Sequence, residues 1–259
     1  MLGTLRLVLR AFGLVLVCTW GVVLCLVALP LAIVPRWHQA VIMPISRHWC
    51  RLMCIGFGAR VHEVGVPARG PVLVAANHVS WMDILVLGRR LGACFVSKSE
   101  VADWPVMGWL AKQGGTLFIH RGHRDSAERI AHAMVDRLQE GKRLMFFPEG
   151  TTSDGWQVLR FKHRLFVPAV ETDTRVQPVT LCYELEEGGD PVAYIDGISF
   201  IDSIIGVMAR HRTDVTIYWD DPLSTADRDR REIAAAAGQQ VAARMAAHRE
   251  ANASDALEH

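Results

Sequence analysis

Apolar and polar positions are distributed very unevenly along this chain. From Ala11 to Pro35 there is no charged residue. About 20 apolar residues suffice to cross a hydrocarbon core of roughly 30 Å as a helix. A cleaved leader has a shorter apolar region, about 7–15 residues, and needs a small-x-small site that is not seen here. A soluble surface helix would show a polar face, and this stretch is apolar all round. The pattern therefore predicts a membrane-inserted helix. Arg6 and Arg10 precede it, and Arg36, Arg47, Arg51 and Arg60 follow it. Positive charge on both flanks selects no side by the positive-inside rule. It suits a segment that enters one leaflet and returns, with Pro30 and Pro35 assisting the bend. Trp37 to Phe57 then mixes apolar residues with His38, Arg47, His48 and Arg51. This reads as an interfacial helix, with Trp37 and Trp49 at headgroup level. A simple span followed by a linker is the competing picture.

After Arg60 the pattern changes to short apolar runs separated by helical periodicity. Val72–Ala76, Cys94–Val96, Thr116–Ile119, Leu144–Phe147, Val176–Leu181 and Val215–Trp219 read as strands. Ile130, Met134, Val135 and Leu138 recur at helical spacing within Asp125–Gln139, and the Ala/Arg-rich stretch Ala226–Glu250 reads as a second long helix. Short buried strands alternating with helices predict an α/β domain with a largely parallel or mixed sheet. The expected organisation is an anchoring segment over 1–58, a folded domain over 59–252 and a disordered tail over 253–259. The final Leu257-Glu258-His259 reads as the start of a purification tag.

Composition changes this picture little. Of 259 residues, 51% are hydrophobic and 21% charged, enough for a sizeable core, and the formal net charge is +1. Total charge gives no long-range attraction to nucleic acid, so no nucleic-acid partner is expected, although local basic patches remain open. The six cysteines (Cys18, Cys25, Cys50, Cys54, Cys94 and Cys182) contain no C-x-x-C pair. That spread suits reduced thiols rather than a disulfide framework or a zinc site.

Three blocks carry candidate chemistry, each after a predicted strand. The first is Asn77-His78-Val79-Ser80-Trp81-Met82-Asp83. A histidine at the carboxyl end of a strand stands where α/β sheets place ligands. Asp83, in the first helical turn, can orient one imidazole nitrogen and leave the other to take a proton from a hydroxyl. The same residues also fit an acidic capping box, with Ser80 as N-cap. The second block is Phe147-Pro148-Glu149-Gly150-Thr151-Thr152-Ser153, a turn whose Glu149 reads as an outward acceptor and whose amides near Gly150 can face an oxyanion. An ordinary loop is its competing reading. The third is Gly115-Thr116-Leu117-Phe118-Ile119-His120-Arg121, ending in a cation suited to phosphate or carboxylate. His120 and His123 have no carboxylate or cysteine partners at ligand spacing, so no metal site is expected.

In this order the blocks resemble the glycerolipid acyltransferase superfamily, which includes 1-acylglycerol-3-phosphate and lyso-ornithine lipid acyltransferases. Its N-H-x-S-x-x-D, G-x-x-F-I-x-R and F-P-E-G-T blocks are all matched. So is its intervening run, as Lys98-Ser99-Glu100, Pro105, Gly108 and Gly115, and its weaker Pro-Val block, as Pro178-Val179. The resemblance covers about Arg60 to Trp219. It implies a mixed α/β sheet with helices on both faces, preceded by a hydrophobic helical membrane motif. It implies a membrane-bound lysolipid O-acyltransferase using acyl-CoA or acyl carrier protein as donor substrate, with no bound cofactor and no acyl-enzyme. His78 would be the base and Asp83 its orienter. Lys98 and Arg121 would hold the acceptor's anionic head, and Glu149, Gly150 and Thr151 would position its glycerol-like part or the reacting carbonyl. The expected partners are the bilayer, the lysolipid and the donor, and the expected location is the inner (cytoplasmic) membrane with the catalytic domain on the cytoplasmic side.

One departure bears on the acceptor. The family often has Arg after E-G-T, and here Thr152 stands there. The variant Thr152-Ser153-Asp154-Gly155 followed by Phe161-Lys162 is similar to members acting on lyso-ornithine or related amino-acid lipids, and also to some lysophosphatidic acid enzymes. The commonest family activity favours 1-acylglycerol-3-phosphate, giving phosphatidic acid, and a lyso-aminolipid is the alternative. Two readings from other classes stand beside these: a lipid ester or thioester hydrolase using the same pair with water, and a non-catalytic membrane scaffold.

Overall fold

The computed structural model describes residues 2–32, 38–92, 94–103, 107–119, 124–184, 192–195 and 197–257. The chain divides into two compact units. The first comprises Met1–Arg60, Trp81–Met134 and Ile198–Thr213, and the second comprises Val61–Ser80, Val135–Gly197 and Asp214–His259.

The first unit is built on α1 (Leu2–Ala32) and α2 (Met43–Phe57), the latter preceded by a wider turn over His38–Ile42. Gly3–Ala28 has a mean hydropathy of 2.5, long and apolar enough to cross a bilayer. Leu14, Cys25 and Ala28 face the unit's interior, while Leu9, Phe12 and Val27 are 62%, 64% and 70% exposed. The helix continues through Pro30 to Ala32; Pro35 and Trp37 lie outside the described residues. α2 has Pro44 in its first turn and stops at Gly58, whose φ of 73° is left-handed and whose N–H closes on the last carbonyls. Its face Trp49, Cys50, Met53, Cys54 and Phe57 repeats at helical spacing and is buried. Trp49 is therefore not the headgroup-level residue expected from the sequence. Its indole N–H donates to Val17 O at 3.2 Å, and Gly21 makes room for it: a methyl carbon there would sit 2.5 Å from the ring nitrogen.

Three further helices and two strands complete this unit: α3 (Met82–Leu91), α4 (Met107–Gln113), α7 (Phe200–Ala209), and the parallel pair β3 (Cys94–Lys98) and β4 (Leu117–Ile119). Arg10, at the edge of the uncharged stretch, donates to Met208 O (2.9 Å), Arg210 O (2.6 Å) and His211 O (2.8 Å). It satisfies carbonyls left over at the end of α7 and fastens that helix to α1. α5 (Arg124–Gln139) begins in the first unit and ends in the second.

The second unit holds a mixed sheet in the order β1-β7-β6-β2-β5, with β1 at Ala59–Gly65, β2 at Val72–Ala76, β5 at Arg143–Phe146, β6 at Val176–Tyr183 and β7 at Thr213–Trp219. β2 runs parallel to β5 (Ala75 opposite Phe146) and to β6 (Ala76 opposite Val179), while β6 and β7 are antiparallel (Leu181 opposite Ile217). Every residue of β2 and β6 is buried, which is why β2 reads as an unbroken apolar run and β6 as a mostly apolar one whose Gln177 and Thr180 are buried with it. Pro178 is tolerated in β6 because the ladder to the neighbouring chain is offset there. Between the Val179–Trp219 rung and the Val176–Leu223 bridge, three steps on β6 face four on the other chain. Leu73, Leu144, Phe146, Phe166, Leu181 and Ile217 form the centre of the core. α6 (Val167–Glu171) and α8 (Arg230–Leu257) complete the unit. α8 extends to Leu257, so residues 253–257 of the tail expected to be disordered continue the helix.

Candidate active site

β2 and β5 are parallel neighbours, so their carboxyl ends emerge at the same edge of the sheet, and the two motif loops begin there. Asn77 extends the β2–β6 pairing one residue past the strand with its side chain. Its Nδ2 donates to Leu181 O at 2.9 Å, and its Oδ1 accepts Leu181 N–H at 2.7 Å. Fully buried, Asn77 pins the main chain just before His78.

His78 is then gripped by the loop after β5. Its N–H donates to Glu149 Oε1 at 2.8 Å, and its carbonyl accepts Ser153 N–H at 2.8 Å and Ser153 Oγ at 3.3 Å. Its ring stacks on Phe147, with centroids 3.9 Å apart and planes 10° from parallel. Val79 O accepts the N–H of Tyr194 at 2.9 Å. The imidazole is thus fixed from below by an aromatic face and at its backbone by a carboxylate.

Glu149 departs from the sequence expectation. It is 2% exposed, and its second oxygen accepts Leu159 N–H at 2.9 Å. Both oxygens therefore hold main-chain amides, and the side chain is turned inward as a brace, not outward toward the acceptor. A buried carboxylate needs such donors. The turn itself requires Gly150: its φ is 72°, and its N–H returns to Phe147 O at 3.1 Å. A methyl carbon at Gly150 would also meet Lys162 Nζ at 2.5 Å, so that ammonium lies over the turn. Lys162 is held there by its own N–H on Pro148 O, at 2.9 Å. Thr151 is exposed, and Thr152 donates its hydroxyl to Tyr194 O. Arg249 of α8 donates to the carbonyls of Gly155 and Trp156 and lies over the Trp156 ring at 5.0 Å, tying down the rest of the loop.

Asp83 belongs to the first unit, where it is the second residue of α3 and fully buried. Ser80 is buried as well, and Trp81, at the start of α3, makes no side-chain cap bond. Trp81 itself is a packing residue, edge-on to Phe57 at 4.9 Å and to Phe200 at 5.7 Å, with its indole N–H on Ser203 Oγ at 3.0 Å. Of Lys98 only the main chain, at the end of β3, is described. Arg121, His120 and His123 lie outside the described residues. Among the described residues no group of three or more His, Cys, Asp or Glu is arranged to hold a metal ion. Phe147, Ser153 and Lys162 stood in quoted motifs without a role. Tyr194 had no sequence signal, because its contribution is made by its main chain.

A family model described as Acyltransferase matches residues 59–182. The lyso-ornithine lipid O-acyltransferase of Pseudomonas aeruginosa is 38% identical over 198 residues, covering 76% of this chain and 76% of that protein. The protein of the same name from Brucella abortus is 31% identical over 258 residues, covering 90% and 91%. The 1-acyl-sn-glycerol-3-phosphate acyltransferase of Neisseria meningitidis serogroup B is 43% identical over 129 residues, 49% of this chain and 51% of that protein. In fold, the chain matches the crystal structure of the 1-acyl-sn-glycerophosphate acyltransferase PlsC from Thermotoga maritima, with a TM-score of 0.65 and 19% identity over 93% of this chain and 98% of that one.

Proposed function

Since the chain belongs to the acyltransferase family of the lyso-ornithine lipid and 1-acyl-sn-glycerol-3-phosphate enzymes, we propose that it transfers a fatty acyl group from a thioester to the hydroxyl of a lyso-ornithine lipid or related lyso-aminolipid. The observation that carries the acyl-transfer reading is the bracing of His78, whose backbone and ring are held by Glu149, Ser153 and Phe147 at the carboxyl edge of the sheet. The aminolipid acceptor is supported by relatives of that name that match along three quarters or more of their length, and by Thr152 in place of a cation. A 1-acylglycerol-3-phosphate acceptor is the second reading, supported by the 43% identity to the Neisseria protein across the motif region.

In this mechanism the imidazole of His78 takes the proton of the acceptor hydroxyl as its oxygen attacks the thioester carbonyl, and Asp83 orients the ring. The tetrahedral intermediate collapses with loss of the thiolate, which receives that proton from His78. The hydroxyl attacks directly, so the protein carries no acyl group between steps. Lys98, Arg121 and Lys162 receive the anionic part of the headgroup, and Gly150 and Thr151 line the acceptor side of the loop. The acyl donor is acyl-CoA or acyl carrier protein. The uncharged face of α1 docks on the bilayer, and the reaction belongs to the cytoplasmic side of the inner membrane.

The test is a purified full chain given a labelled acyl thioester and a panel of lysolipids, with products identified by mass spectrometry. The reading requires a diacyl product from lyso-ornithine lipid in preference to lysophosphatidic acid. The reverse preference selects the second reading. Free fatty acid formed without acceptor would indicate a hydrolase.

A further inference from the structure

An open groove on the second unit lies between the segment after the F-P-E-G-T loop and the first half of α8. Arg160, Phe161 and His163 line one side, and Arg231, Ala234 and Gly238 the other. Gly238 faces Phe161, and a methyl carbon there would lie in ordinary contact with the ring at 3.4 Å. Ala234, Ala235 and Ala242 leave the groove floor open.

The rim is strongly basic although the whole chain carries only +1. Arg160, Arg164, Arg230 and Arg231 act together on His163, and Arg230 and Arg231 also act on the carboxylate of Asp229. The imidazole's proton affinity is lowered, by desolvation first and then by these four guanidinium groups. Its Nδ1 is buried and has no hydrogen-bond partner among the described residues. Asp229 offsets the cluster only in part: its carboxylate faces Arg231 and Arg230 while also accepting the N–H groups of Arg231 (2.6 Å) and Glu232 (2.9 Å), and Glu232 accepts Asp229 N–H at 2.7 Å. Four guanidinium groups beside one such carboxylate leave the rim net positive, a field that draws an anion. Guanidinium groups suit phosphate through paired, planar hydrogen bonds.

The same segment also reaches the active site. Leu159 N–H holds Glu149 Oε2, whose other oxygen holds His78, and Lys162 N–H holds Pro148 O. A ligand in the groove would therefore lie against residues that set the catalytic loop.

We infer that this groove is the acyl-donor site: the arginines bind the phosphate of a phosphopantetheine thioester, and the open channel beside α8 accepts its uncharged arm. The phosphopantetheine phosphate is common to acyl-CoA and acyl carrier protein. The inference rests on the acyl-transfer reading above and assigns a substrate site to residues outside its three motifs.

The test uses the full chain in lipid vesicles, with initial rates measured against each donor and against the lysolipid. Arg160→Gln with Arg231→Gln removes two exposed charges, and Ala235→Trp fills the channel at an exposed position without touching the arginines. The donor KM should rise roughly tenfold or more in the charge variant, the scale of a lost charge-assisted bond, and also in the channel variant. The acceptor KM should hold. An effect on acyl-CoA that disappears with a dephospho-CoA thioester would place the arginines on the 3′-phosphate. An effect shared by acyl carrier protein would place them on the pantetheine phosphate. Unchanged donor KM in both variants, or a loss confined to vesicle binding, would overturn the assignment. Wild-type protein that acylates no lysolipid with either donor would instead overturn the functional reading itself.

Discussion

Glu149 shows how one side chain sets the position of another. Its carboxyl group accepts the amides of His78 and Leu159, so the strand end carrying His78 and the segment after the loop are joined through one buried side chain. Glutamine in its place keeps a single acceptor oxygen and turns an NH2 group toward the other amide. Glu149→Gln should leave one buried donor unsatisfied and cost about 1–3 kcal/mol of stability. Because His78 loses its brace, kcat should fall while both KM values hold. Thermal denaturation and steady-state rates check this, and a rise in acceptor KM with unchanged kcat would return Glu149 to the outward-facing role. The motif made Glu149 visible as a residue to watch but not its direction, because a turn with Pro and Gly can aim a side chain either way. Asn77 illustrates the same limit: its neighbours in sequence carry no hint that it pairs with Leu181, 104 positions away.

Six of the seven strands were legible from sequence, because β2 is a continuous apolar run and the others are short, mostly apolar runs. β1 was not. Val61 and Val64 fall on opposite faces of Ala59–Gly65, so the pattern has no period of two. α7 was also missed, since Phe200, Ile201, Ile204 and Ile205 in a ten-residue stretch can suit a strand or a helix. Its start is set by Ser199, which accepts the N–H of Asp202 at 3.1 Å. At the other end of the chain, α8 was legible from its alanines, yet its hold on the sheet was not. His248 of α8 lies 2.8 Å from the Tyr218 hydroxyl of β7, and burial, then Arg249, lowers its proton affinity below the ordinary 6.5. The folded state therefore prefers the neutral ring. Its contribution to stability is present above pH 6.5 and is lost as pH falls through the lowered value. Melting temperature should drop on acidification below about pH 6.5, and His248→Gln should reduce that drop. Equal pH profiles for both proteins would remove His248 as the cause. In β6, burial pushes the Cys182 thiol up to about 12, in line with the reduced, unreactive cysteines expected from their spacing.

At the scale of the whole molecule, the chain combines a long, largely exposed apolar helix with an acyltransferase fold. The exposed face of α1 carries Leu9, Phe12, Val15, Leu16 and Val27. A docked hairpin predicts that a fluorophore on Val27→Cys, in a Cys18→Ser background, is quenched by spin-labelled lipid chains and shielded from a water-soluble quencher on either side of a vesicle. Quenching by the aqueous reagent from the far side would establish a full span instead. The long apolar helix and the class of fold were both readable in the sequence, as an uncharged run and ordered motifs, whereas the groove was not, because it joins Arg160 to Arg231 through folding alone. The central claim is that a base at His78 drives acyl transfer to a lysolipid hydroxyl. Its most direct test is the kcat of the full-length His78→Ala protein, in vesicles, with an acyl thioester and lyso-ornithine lipid. General-base contributions of about 10²–10⁴ predict a loss of at least that order with an unchanged melting temperature, and a His78→Ala protein that acylates at the wild-type rate would contradict the account.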